Sequence, residues 1–243
     1  FRYAYIEGID DSQIEQLNVT LLRISSDFPE TGTFHCSNEI VNKLQACAAN
    51  SDRSNFVHFP TDCPQREKNG WCGDTTCSAE QMLYNFDCAN SLEFYMKTIR
   101  TAQLDNGIFP CIVPDAGWGY ERYHSIWGEI ILVEVPYQCY RFTGNPDYLK
   151  NNADAIRKIF NHFEAIVNEN GLIAYGLPDW CEPGAKFECL ASTPVEVSDT
   201  LLEICACNKA IKIFELLNDT AFKNRIVSFR DKLKKRFREV WLD

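Results

Sequence analysis

Two stretches of this chain repeat one contrast: a helix-period segment that is apolar on nearly every side, then, across a turn, a segment with one apolar stripe. Between Ile126 and Phe142, the residues Ile130, Ile131, Leu132, Val133, Val135, Tyr137, Cys139 and Tyr140 are too many for one face. A helix there must be covered on two sides. Gly144, Asn145 and Pro146 then supply a stop, a cap and a first helical residue, and Tyr148, Ile156, Ile159, Phe160, Phe163 and Val167 form a single stripe ending before Gly171. The contrast returns between Leu201–Leu217 and the segment after Asn218, where Phe222, Ile226, Phe229, Leu233, Phe237 and Val240 follow the helical period. Helices covered on both sides alternating with helices covered on one predict an inner and an outer layer, the arrangement of an α/α toroid.

The chain has 243 residues, 45% of them hydrophobic, enough for one sizeable core. Helical patterning starts at Ser37, read as an N-cap before Ile40, Val41, Leu44, Cys47 and Ala48, and gives roughly six or seven helices in total. Residues 1–34 differ: FRYAYIEG and NVTLLRIS read as short strands, the end of a preceding β-domain and its linker, with the helical domain spanning 35–243. The net charge of −10 argues against a nucleic-acid partner, whose phosphates would be repelled. The cations between Lys209 and Arg238 fall off the apolar stripe and read as a solvated face. No apolar run approaches the ~18 residues of a membrane span, which argues against a membrane partner. The twelve cysteines are scattered, with no CxxC pair and no zinc-type spacing, so they read as small buried hydrophobes of a reducing, cytoplasmic compartment rather than as a metal site.

Chemistry concentrates in DCPQREKNGWCGD, Asp62 to Asp74. Pro64 and Gly70 preclude one continuous helix, so Asp62, Glu67 and Asp74 are expected to converge from a folded loop that opens a helix near Thr75. Several carboxylates in a concave loop suit sugar hydroxyls and proton transfer at a glycosidic oxygen. Glu67 is the best general acid, since neighbouring carboxylates or apolar cover from Trp71 would raise its proton affinity. Asp62 and Asp74 suit hydroxyl binding, and Asp74 also reads as a helix N-cap. No GxSxG elbow, GxGxxG loop or P-loop is present.

The spacing Asp62, Arg66, Glu67, Gly70, Trp71, Gly73, Asp74 resembles the signature of the bacterial α-L-rhamnosidases of glycoside hydrolase family 78. TFHCSNEIVNKL, IWGEI at Ile126–Ile130 and PDWCEPG at Pro178–Gly184 agree in order, so the resemblance covers nearly the whole chain. It implies a mainly α fold, the N-terminal part of a truncated (α/α)6 barrel behind a β-strand stub. It implies an inverting enzyme that removes terminal α-L-rhamnose, with Glu67 as general acid and the general base on a later helix beyond this chain. It places sugar contacts at Asp62, Arg66, Trp71, Asp74, Trp127, Glu129, Asp179 and Trp180, and calls for no cofactor and no metal in this segment. Glu129 stands where the family more often has aspartate, and is expected either to touch ligand or to pair within the protein. His124 reads as a helix-start or core histidine. Two other readings remain open at this point: a non-catalytic carbohydrate-binding toroid, and a toroid hydrolase for another deoxy sugar or a uronic acid.

Overall fold

The computed structural model describes residues 3–120, 124–177, 184 and 192–242. Asp179 and Trp180 lie outside the described residues. The elements are α1 (Glu39–Asn55), a minimal hairpin of β1 (Phe56–Val57) and β2 (Phe59–Pro60), α2 (Cys72–Asn85), α3 (Ala89–Ala102), the four-residue α4 (Ile126–Glu129), α5 (Ile131–Thr143), α6 (Asp147–Ala165), α7 (Val195–Leu216) and α8 (Thr220–Trp241). The fold is mainly helical.

α5 organises the packing. Ile131, Leu132, Val133, Val135 and Cys139 are all buried, because α2 and α7 flank it while α3 and α6 cover its back. α5 thus sits among four helices, and α8 packs on α7; α7 itself, expected to be covered on two sides, leaves Leu201 43% and Leu216 46% exposed. The stripe of α6 faces inward as expected, with Tyr148, Ile156, Ile159, Phe160 and Phe163 buried. Phe160, Phe163, Phe214 and Phe222 meet edge to face at ring separations of 4.5–6.1 Å and knit α6, α7 and α8 together. Each fully buried ring of this kind contributes about 1.5–3 kcal/mol by leaving water. Gly144 ends α5 at φ 73°, where the sequence places the stop; Pro146, expected as the first helical residue, is instead the N-cap of α6, and the Asn145 side chain accepts the Asp147 amide at 3.0 Å.

Three expectations need correction. The runs FRYAYIEG and NVTLLRIS form no strand among the described residues; residues 3–27 are almost wholly exposed, with one 3-10 turn at Asp11–Gln16. A strand needs a neighbour for its ladder, and no described segment pairs with these runs. The N-cap of α1 is Asn38, whose side chain accepts the Ile40 amide at 2.9 Å, not Ser37. The apolar stripe of α1 faces out, with Ile40 78% and Leu44 67% exposed. α1 instead meets α2 through polar pairs, Gln45 on Asn85 and Gln81 on Asp52. Periodicity locates an apolar face; it does not say what covers it.

Candidate active site

The loop between β2 and α2 holds the acids by short local bonds. The Asn69 amide donates to Asp62 Oδ1 at 2.9 Å, the Cys63 thiol lies 2.8 Å from Asp62 Oδ2, and the Asp62 amide returns to the Asn69 carbonyl. The Glu67 amide donates to Cys63 Sγ at 3.2 Å, which folds Glu67 back beside Asp62. Glu67 itself is exposed, and its Oε2 accepts the Trp71 indole N–H at 3.0 Å. Arg66 is exposed and makes no ion pair among the described residues.

Gly70 and Gly73 fix the far side. The Gly70 carbonyl accepts the Val113 amide at 2.9 Å and the Tyr95 hydroxyl at 3.0 Å, and a Cβ at position 70 would lie 2.0 Å from the Val113 carbonyl oxygen. Only glycine lets the two backbones approach so closely. α2 then begins at Cys72, earlier than the sequence suggests, with Trp71 at the N-cap and Asp74 in the first turn rather than capping it. At position 73 a Cβ would meet the Trp127 ring at 2.3 Å, so α4 lays that ring directly on the backbone beside Asp74. Trp127 Nε1 donates to Cys77 Sγ at 2.9 Å, and the Trp71 ring sits 6.4 Å from that of Trp118.

The structure therefore brings Asp62, Glu67, Asp74, Trp71 and Trp127 to one place. A cavity of about 320 Å³ opens between α1 and α2 beside this loop, with Asp52, Asn55, Thr61, Asp62, Asp74 and Ser78 in its wall and Glu67, Trp71 and Trp127 outside it. Burial first, then the charges of Asp62 and Glu67, push the Asp74 carboxyl up to about 6. Ligand atoms of Asp62, Cys63 and Glu67 lie within 4.8 Å of one another, close enough to share a cation, yet each already has a partner inside the loop. A larger groove between α6 and α8 holds one acid, Glu164, and Arg225 grips it with two bonds of 3.0 and 2.7 Å.

Glu129 takes a different position. Its side chain is 0% exposed, with Oε1 3.3 Å from His124 Nδ1 and Oε2 3.6 Å from His162 Nε2. The hydrogen bond to Glu129 holds the His124 imidazole above its ordinary range, and burial raises the Glu129 carboxyl. Burial lowers His162 to about 4. Beneath lie Asp199, pushed up to about 7 by burial, and Glu203, raised well above the usual range by the same cause.

Sequence reasoning did not single out Asp52, Trp118, His162, Asp199 or Glu203. Trp118 had a local signal, glycines on both sides, and its turn is capped by Asp115 Oδ1 accepting three successive amides. The others sit on helices, and only the packing of α1 on α2, or of α6 and α7 on α4, shows what they face.

These elements define a mainly helical domain that carries a cluster of acids on the loop before α2. Residues 29–243 match the model of the bacterial alpha-L-rhamnosidase 6 hairpin glycosidase domain, and the chain belongs to that family. It is similar to an alpha-L-rhamnosidase of Formosa agariphila, 33% identical over 185 residues, covering 75% of this chain and 20% of the relative. A second from the same organism is 28% identical, covering 100% of this chain and 26% of the relative. Among solved structures, the alpha-L-rhamnosidase of Dictyoglumus thermophilum superposes with a TM-score of 0.82 at 26% identity, covering 88% of this chain and 24% of that one. That of Streptomyces avermitilis, complexed with L-rhamnose, gives 0.79 at 23% identity, covering 89% and 20%. The chain thus spans about a quarter of the length of these relatives or less.

Proposed function

We propose that the protein carrying this chain is an inverting α-L-rhamnosidase acting on terminal rhamnosides of plant glycosides or polysaccharides, and that these helices are the first part of an (α/α)6 barrel. The observation that carries the reading is the convergence of Asp62, Glu67 and Asp74 on one loop end, beside two tryptophan rings. Glu67 donates the proton to the leaving glycosidic oxygen. Of the three acids it alone is exposed, and the indole N–H of Trp71 orients its carboxyl.

Asp62 and Asp74 accept from sugar hydroxyls, where ionised acceptors hold about twice as strongly as neutral ones. Arg66, exposed on the same loop, is a further donor. Trp71 and Trp127 cover the C–H faces and the methyl group of a 6-deoxy sugar, and the family resemblance adds Asp179 and Trp180 as sugar contacts. Asp62 is poorly suited to activating water. Its reach to Glu67, within 4.8 Å, is shorter than the ~6.5–9.5 Å of an inverting pair, and both its oxygens are already engaged. The family resemblance instead implies a water-activating carboxylate in the part of the relatives' length that this chain does not span.

The test is hydrolysis of aryl α-L-rhamnosides by the full-length protein. Glu67→Gln should lower turnover by about a hundredfold or more while rhamnose binding, followed by calorimetry, persists. Wild-type turnover in that variant would refute the role of Glu67. Binding by the wild-type protein without any turnover would favour a carbohydrate-binding domain, and a preference for another aryl glycoside would reassign the substrate.

A further inference from the structure

Trp127 and Glu129 share one turn of helix but face different surroundings: the tryptophan lies on Gly73 beside the acid-lined cavity, and the glutamate points into the protein. Four elements converge on that glutamate. His124 belongs to the segment leading into α4, and His162 to α6. The Tyr175 ring packs against both imidazoles, at 5.3 Å from His124 and 5.1 Å from His162. Asp199 of α7 holds Tyr175 in turn, accepting its amide at 2.7 Å. The Leu177 amide donates to the His124 carbonyl at 2.6 Å, and Ser125 pairs with Gly176, which closes the ring of contacts. Glu129 Oε2 and His162 Nε2 have no hydrogen-bond partner among the described residues, and each faces the other. Glu129 is thus held by a hydrogen bond on its His124 side and by a 3.6 Å polar contact with His162 on the other.

We infer that Glu129 is a positioning residue: braced between His124 and His162, it pins the Ile126–Glu129 helix so that the Trp127 ring stays seated on Gly73, beside Asp74. This deepens the rhamnosidase reading and rests on it. The α4 helix has four residues and joins α5 through Ile130, so side-chain anchors add to what this backbone continuity fixes. Ser125 supplies one anchor by capping the Gly128 amide at 3.0 Å, and Glu129 supplies the other. With Glu129 loosened, the ring loses its seat and its indole N–H releases a lone pair of the sulfur of the exposed Cys77, leaving it a better nucleophile. α6 contributes no residue to the wall of the acid-lined cavity, so an effect of His162 on sugar handling is indirect, and its non-additivity with Glu129 is what assigns the route.

Glu129→Gln and His162→Gln, singly and together in the full-length protein, test the assignment by two readouts. The first is the rate of Cys77 alkylation by iodoacetamide, followed by peptide mass spectrometry, which needs no activity. The second is the split between KM and kcat on an aryl α-L-rhamnoside. Each single variant should speed Cys77 alkylation severalfold and raise KM by about tenfold, with a smaller fall in kcat, since a displaced platform weakens sugar holding more than proton transfer. The double variant should be no worse than the worse single one. Unchanged Cys77 alkylation in folded variants, or effects that simply multiply, would overturn the assignment. If Glu129→Gln does not fold, His162→Gln decides alone, because it removes no charge at neutral pH. If wild-type protein shows no turnover, the rhamnosidase reading fails while Cys77 alkylation still reports on Trp127.

Discussion

Replacing Gly73 by alanine sets two well-characterised effects against each other at one position. Helix propensity favours the substitution by up to about 1 kcal/mol, since glycine inside a helix loses more backbone freedom than alanine. Packing opposes it. The new Cβ would stand 2.3 Å from Trp127 Cε3, 2.5 Å from Cζ3 and 2.6 Å from Cδ2, against an ordinary carbon contact of about 3.5–4.0 Å. The ring must therefore retreat by more than about 1 Å, through a position held by the bond to Cys77 and by the buried residues Ile126, Gly128 and Glu129. Forced overpacking of this kind costs about 1–3 kcal/mol, so Gly73→Ala should destabilise by about 1–2 kcal/mol net and lower rhamnoside turnover as the ring is displaced. Urea unfolding of the four proteins of a cycle with Trp127→Ala measures the cause. In the Trp127→Ala background the clash is gone, and Gly73→Ala should become neutral or stabilising, a coupling of about 2 kcal/mol. If Gly73→Ala stabilises equally in both backgrounds, the ring does not rest on residue 73 and its place in the site is wrong.

Other outcomes follow from the same contacts. Asp199 has a folded-state pKa of about 7 against an ordinary 3.8, so it keeps its proton in the native state where the unfolded chain has lost it. Its contribution is therefore intact below about pH 4 and is lost as pH rises through about 7, up to about 4 kcal/mol in all. Urea midpoints measured from about pH 5 to about pH 8 should fall less in Asp199→Asn than in wild type, and equal slopes would show that Asp199 is ionised in the native state. Gly70→Ala drives a Cβ to 2.0 Å from a backbone oxygen that cannot swing aside, and should cost about 2 kcal/mol or more by thermal unfolding; an unchanged midpoint would mean the 70–72 and 111–113 segments do not pair. Trp71→Phe keeps a ring but removes the indole bond to Glu67, and should reduce kcat by about tenfold with rhamnose affinity less affected, as isothermal calorimetry would show.

The burial of α5 and the single buried stripe of α6 were legible because cover leaves a mark in the sequence itself, whereas α7 carries a similar apolar surround and still leaves Leu201 and Leu216 exposed. The loop acids were legible too, since Asp62, Glu67 and Asp74 lie within thirteen residues and the proline and glycine between them force a fold. The stripe of α1 misled for the same reason the others succeeded, because hydrophobic period reports a need for cover and α1 meets α2 through Gln45 and Asp52 instead. Glu129 was visible as a residue but not in its setting. Its partners lie five residues before it and on another helix, and nothing local to His162 or Asp199 shows that they would be packed against α4. Long-range burial of polar groups is decided by tertiary packing, which single-sequence pattern does not encode.

The edge-to-face rings of Phe160, Phe163, Phe214 and Phe222 bear on how this domain comes apart. They tie α6, α7 and α8 through shared side chains, with the Arg157 guanidinium over two of the rings and bonded to Asp219, which caps α8. No one of the three helices can open without stripping the other two of apolar cover. Their amides should therefore exchange with solvent deuterium in concert, as a single foldon, well after α1 has let go.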